Sequence, residues 1–73
     1  MHFEDGQEVR FTLRGEDLHV RLEGRRWHLR WRDRTVECEH IDRAVAALLQ
    51  EHMSAVMPLV ARLLRAEPGA TLD

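Results

Sequence analysis

The apolar pattern of this chain changes period once. Over residues 8–40 apolar and polar side chains alternate with a period of two, and from Ile41 onward apolar positions recur at helical spacing. A period of two lines one face of a sheet and a period near 3.6 lines one stripe of a helix, so the change commits the chain to a sheet half followed by a helix half. Four alternating segments are legible: Val9-Arg10-Phe11-Thr12-Leu13-Arg14, Leu18-His19-Val20-Arg21-Leu22-Glu23, Trp27-His28-Leu29-Arg30-Trp31-Arg32 and Thr35-Val36-Glu37-Cys38-Glu39. Each reads as a half-buried strand. The expected fold is α+β: a four-stranded antiparallel β-meander followed by a C-terminal α-helix, kinked or broken, packed on one sheet face.

With 73 residues there is room for one small domain, divided into a meander (8–40), a helical segment (41–67) and a tail (68–73). A core of this size supplies about 3–5 kcal/mol unaided. A second source of stability is therefore expected, and the single cysteine, Cys38, excludes an internal disulfide. A metal or a second subunit remains.

Two-residue loops at Gly15-Glu16, Gly24-Arg25 and Asp33-Arg34 put every apolar pair on one side: Leu13 opposite Leu18, Phe11 opposite Val20, Leu22 opposite Trp27, Trp31 opposite Val36 and Leu29 opposite Cys38. The other side then pairs Arg14 with Asp17, Glu23 with Arg26, Arg30 with Glu37 and His28 with Glu39. A leading glycine in the first two loops predicts type II′ turns; Asp33-Arg34 has none and also fits a bulged or longer connection.

Asp42 is the expected N-cap of the helix, and Glu67-Pro68-Gly69 its stop. Pro58 interrupts the segment: the helix kinks there, or Ser54 caps a second helix. One kinked helix is the preferred expectation. Its apolar positions form two stripes. Ile41, Val45, Leu48, His52, Val56, Leu59 and Leu63 face the sheet, with His52 part-buried, while Leu49, Met53, Met57, Val60 and Leu64 form a second seam. Together they span about 220°, around twice what one sheet covers. The seam at near-heptad spacing is the expected homodimer interface. The alternative is a chain that breaks near Ser54 and folds the second helix back over the first.

Thirteen acids and eleven bases leave a formal charge of −2, unlike a protein that wraps duplex DNA by phosphate neutralisation. All eleven bases are arginine, which reflects either a biased genome or a need for guanidinium forks. On the first three strands the solvent face carries Arg10, Arg14, Arg21, Arg26, Arg30 and Arg32 against Asp17 and Glu23, a local excess of four positive charges. With His19 and His28 among them, these residues are the candidate binding surface for an acidic partner protein or for single-stranded DNA or RNA. Against this stand Glu37 and Glu39 on the fourth strand, and the alternative of a solvated face laced with ion pairs. Both tryptophans, Trp27 and Trp31, have inward parity, so the face lacks the aromatic platforms of a base-stacking protein.

His19 and His28 fall on a diagonal with Glu39 beside His28, and Cys38 and His40 share the inward parity. Neither set has metal-site spacing, so no metal and no other cofactor is expected. Ser54, the only serine, has no histidine–acid pair beside it, and the four glycines form no phosphate loop. No catalytic residue is assigned, and the chain reads as a non-enzymatic module. The acidic start lacks the pattern of a secretory signal, and the longest apolar run, residues 44–49, is far below the ~20 residues of a membrane span. A soluble, cytoplasmic protein is expected.

In architecture alone, four meandering strands and a terminal helix over residues 8–67 resemble the single-stranded nucleic-acid binders of the Pur-repeat and Whirly type. No family motif transfers residue by residue. The resemblance implies a nucleic-acid-binding sheet face, the alternative to a homodimeric protein-interaction module.

Overall fold

A computed structural model describes residues 3–73. Four strands, β1 (Glu8–Leu13), β2 (Glu16–Glu23), β3 (Arg26–Trp31) and β4 (Arg34–Cys38), are followed by two helices, α1 (Ile41–Leu49) and α2 (Met53–Leu63). The strands form one antiparallel sheet in the order β1-β2-β3-β4. The expected α+β meander with a helical C-terminal half is what the chain adopts.

All four strands keep the expected parity. Val9, Phe11, Leu13, Leu18, Val20, Leu29 and Trp31 are buried under the helices, with Leu22, Trp27, Val36 and Cys38 packed at the margin of the same core. Two of the three registers differ from expectation by two residues. Phe11 faces Leu18 and Val9 faces Val20, while Leu29 faces Val36 and Trp27 faces Cys38. Only the β2–β3 register, with Leu22 opposite Trp27, is as read.

The reason lies in the turns. The first loop is Arg14-Gly15, with φ of 52° and 81°, and the second is Gly24-Arg25, with φ of 59° and 65°. Positive φ at both central residues is the hand of a type I′ turn, which matches strand twist and places glycine as readily second as first. In the third loop Arg32, at φ 57°, takes the place expected of Asp33. A shift of two moves no side chain across the sheet, so the apolar pattern cannot detect it.

The helical half departs further. Asp42 is not the N-cap: His40 holds that position without a side-chain bond, and the Asp42 carboxylate accepts from the Arg43 amide at 2.8 Å. α1 ends where Gln50 enters the left-handed region, and the amides of Gln50 and Glu51 both return to the Ala46 carbonyl. The Arg34 guanidinium adds a 2.8 Å bond to the Leu48 carbonyl, satisfying an acceptor that a helix end leaves open. The chain then turns by 118° into α2.

The expected single kinked helix is thus two helices, and the break lies at residues 50–52 rather than at Pro58. Ser54 lies inside α2 and caps nothing; His52 is the N-cap and is exposed rather than part-buried. Pro58 sits in the second turn of α2 beside an exposed Ser54, so the carbonyl it leaves without an amide partner faces outward.

α1 packs on β3 and β4, and α2 folds back against α1. Val45, Leu48 and Leu49 of α1 and Val56, Val60 and Leu63 of α2 enter one buried cluster. This disposes of much of the surplus apolar helix surface. Leu49 and Val60, expected in a dimer seam, are 6% and 3% exposed within a single subunit. Leu64 is half-buried, and Met53 and Met57 remain outside at 41% and 47% exposure.

Residues 68–73 are not a loose tail. The Gly69 amide donates to the Arg10 carbonyl, the Thr12 amide to the Ala70 carbonyl and the Leu72 amide to the Thr12 carbonyl, at 2.7–2.9 Å. Thr71 forms a parallel bridge with Thr12, and Leu72 is 1% exposed. The segment closes the outer edge of β1, which would otherwise present unpaired backbone groups. No single helix among the described residues is long and apolar enough to cross a membrane.

Candidate functional site

The face opposite the helices holds every sequence-selected polar residue except Arg14. At its turn position Arg14 points toward the helical side, where Nη2 lies 2.5 Å from Glu51 Oε2. The rest fall into rows fixed by the register. One row runs Arg10, His19, Arg30, Thr35 across β1 to β4, and the next runs Glu8, Arg21, His28, Glu37.

Acids surround the centre of this face. Glu8 Oε2 is 3.3 Å from His19 Nδ1, and Glu37 Oε2 is 3.1 Å from His28 Nδ1. Arg26 reaches Glu37 at 3.2 Å and Glu39 at 3.6 Å; Arg21 approaches Glu23 at 3.7 Å; Arg32 pairs with Glu16 while its guanidinium carbon lies 4.0 Å from the Trp31 ring centroid. The partner of His28 is therefore Glu37, not Glu39, a direct result of the two-residue register shift. Each of these exposed pairs contributes about 0–1 kcal/mol. Their chief effect is to hold side chains in place.

The expected basic stripe does not survive as a net charge. Arg10, Arg21, Arg26, Arg30 and Arg32 stand against Glu8, Asp17, Glu23, Glu37 and Glu39, five bases to five acids, while Glu16, opposite Leu13, has the parity of the helical side. What the fold makes instead is a centre of arginine and histidine on the middle strands, ringed by carboxylates on the outer strands and strand ends. Arg10 and Arg30 take part in no ion pair among the described residues.

At that centre lies an open depression of about 270 Å³, lined by Glu8, His19, Arg21, His28, Leu29, Arg30 and Thr35. His19 opposes Arg30 and His28 opposes Arg21, so the two imidazoles share one diagonal and the two guanidiniums the other. The Arg21 Nε–H is buried and has no acceptor among the described residues. The guanidiniums disfavour a cation between the histidines, and among the described residues no three His, Cys, Asp or Glu side chains converge on a metal position. Cys38 is half-buried against the core, while His40 is exposed at the start of α1.

Neither tryptophan reaches this face. Trp31 is buried with Nε1 donating to the Leu13 carbonyl at 3.0 Å, and Trp27 packs edge-on to Phe3 with centroids 5.1 Å apart. Sequence reasoning overlooked Glu8 and Thr35 as members of the centre and set Glu37 opposite Arg30 instead of His28. A glycine-second reading of the Arg14-Gly15 turn would have placed Glu8 beside Arg21, and a loop at Arg32-Asp33 would have placed Thr35 and Glu37.

No family model, no curated protein and no solved structure matches the chain. The likeness to Pur-repeat and Whirly architectures rests on element order alone.

Proposed function

We propose that this protein is a small non-enzymatic interaction module of the cytoplasm, which pairs with a second copy of itself through α2 and presents its sheet face to an acidic partner protein. The pairing rests on α2. A third of the chain is charged, yet no residue from Met53 to Ala61 carries a charge, and Met53, Ala55, Met57, Pro58 and Ala61 are exposed. Met53, Met57 and Ala61 recur every four residues on one face. An antiparallel copy centred on Met57 sets Met57 against Met57 and each Met53 against the small Ala61, a self-complementary fit of large against small. The interface is narrower than the seam first drawn, because Leu49 and Val60 serve the subunit's own core.

The sheet face supports a compact acidic partner better than single-stranded nucleic acid. An acidic protrusion of the partner enters the arginine–histidine centre while basic neighbours meet the acidic rim. A phosphate backbone laid along the Glu8, Arg21, His28, Glu37 row meets a carboxylate at each end, and nowhere on the face does it find an aromatic platform.

Sedimentation from about 10 µM to about 1 mM tests the pairing. The mass is expected to rise from 8.6 kDa toward twice that value, and Met57→Asp is expected to hold it at the lower figure with unchanged circular dichroism. A wild-type mass of one subunit throughout the range rejects the pairing. A labelled oligonucleotide titrated at low and high salt tests the alternative: steeply salt-dependent binding abolished by Arg21→Glu would replace the acidic-protein reading with the nucleic-acid one.

A further inference from the structure

We infer that the centre of the sheet face is a binding site for a phosphate-type oxyanion, held by His19, Arg21, His28, Arg30 and Thr35. The inference rests on the sheet face being the working surface, and it names the group that surface recognises.

The arrangement supplies donors from several directions around one depression. Two guanidiniums lie on one diagonal and two imidazoles on the other, a pattern that offers hydrogen bonds to more than the two oxygens of a carboxylate. Each imidazole places Nδ1 beside a carboxylate, Glu8 at 3.3 Å and Glu37 at 3.1 Å, which leaves Nε2 as the nitrogen available to a ligand. With its proton on Nδ1, such a ring accepts from a phosphate hydroxyl; protonated on both nitrogens, it donates to a phosphate oxygen. Either protonation state of the ligand is served.

Arg30 joins no ion pair among the described residues, and the buried Arg21 Nε–H has no acceptor there. That nitrogen is closed to solvent, so an oxyanion is met instead by the terminal Nη groups of Arg21, whose side chain is 43% exposed and whose one ion pair among the described residues is to Glu23 at 3.7 Å. Thr35, opposite Arg30 in the register, adds a hydroxyl at the β4 side. The volume of about 270 Å³ exceeds what one phosphate group fills, so the group can arrive free or carried on an organic residue.

The test uses the full chain at constant ionic strength. Inorganic phosphate, a simple alkyl phosphomonoester, acetate and chloride are titrated separately while the ring C–H resonances of His19 and His28 are followed. Saturable shifts of both rings with either phosphate, weakened about tenfold or more by Arg21→Gln and by Arg30→Gln but not by Arg43→Gln on α1, support the inference. The two phosphate arms distinguish a free ion from a phosphorylated group. Saturation by acetate alone overturns the oxyanion site while leaving the acidic-partner reading standing. Linear, anion-independent shifts, or shifts indifferent to Arg30→Gln, overturn both. Folding of each variant is checked by its thermal transition, so that loss of structure is not read as loss of binding.

Discussion

Leu72→Ala probes how the end of the chain is held. Residues 69–73 are tied down by five hydrogen bonds: Gly69 to Arg10, Thr12 to Ala70, Leu72 to Thr12, Arg14 N–H to Asp73 Oδ2, and Arg62 Nη1 to the Leu72 carbonyl. At about 0.5–1.5 kcal/mol net apiece these amount to roughly 2.5–7.5 kcal/mol. Burying the Leu72 side chain, 1% exposed, contributes about 1.5–3 kcal/mol more. Ordering five residues costs about 5–10 kcal/mol. The two sides nearly cancel, so the leucine side chain decides whether the segment stays on the sheet. Its truncation is expected to remove about 2 kcal/mol and to lower the docked-to-undocked ratio roughly thirtyfold. Native-state hydrogen exchange reads this directly, because the Thr12 amide has its acceptor, the Ala70 carbonyl, in the segment. Protection is expected to fall at Thr12 and Leu72 while the β2–β3 ladder keeps its own, and the melting temperature to fall by no more than about 5 °C, because a segment docked near balance leaves the sheet before the sheet unfolds. Unchanged protection at Thr12 in the variant would show that the Leu72 side chain does not hold the segment on the sheet.

Three further substitutions bear on the fold and the pairing. Met57→Asp is expected to abolish concentration-dependent association while leaving the thermal transition of the dilute protein within about 0.5 kcal/mol, since the side chain is 47% exposed in the subunit; an unchanged sedimentation profile argues against α2 as the interface. Arg34→Ala removes the charge-assisted bond to the Leu48 carbonyl and is expected to cost about 1.5–3 kcal/mol in urea unfolding; a loss below measurement error would show that the α1 terminus is satisfied without it. Arg25→Gly relieves a non-glycine residue at φ 65° and is expected to be neutral to stabilising by up to about 1 kcal/mol, the relief of strain offsetting the entropy of the added glycine. A clear loss of stability would mean that the Arg25 side chain makes a contribution its exposed position does not reveal.

Strand number, strand faces and the inward position of both tryptophans were legible because alternation is a local property: each residue's side follows from its neighbours' sides. The register was legible only at Gly24-Arg25, where the glycine leads the loop in fact as it does in the expected turn. At Arg14-Gly15 the glycine follows, and at Arg32-Asp33 there is none, so both loops sit one residue earlier than expected. Small as it is, that displacement changed the site. It gave His28 to Glu37, brought Glu8 and Thr35 beside the central four residues and sent Arg14 to Glu51.

Local pattern alone thus specifies an antiparallel meander with one oily face, a helical second half, and a surplus of apolar helix surface needing cover. Tertiary structure decided what covers it. A left-handed turn at Gln50, a residue with no strong breaking tendency, folds α2 back so that Leu49 and Val60 are enclosed by their own subunit, and residues 68–73 seal the open strand. Periodicity records which side of an element is apolar, but not which neighbour buries it. That choice depends on contacts between residues distant in the chain, whose combined burial outweighs the local cost of placing Gln50 at positive φ.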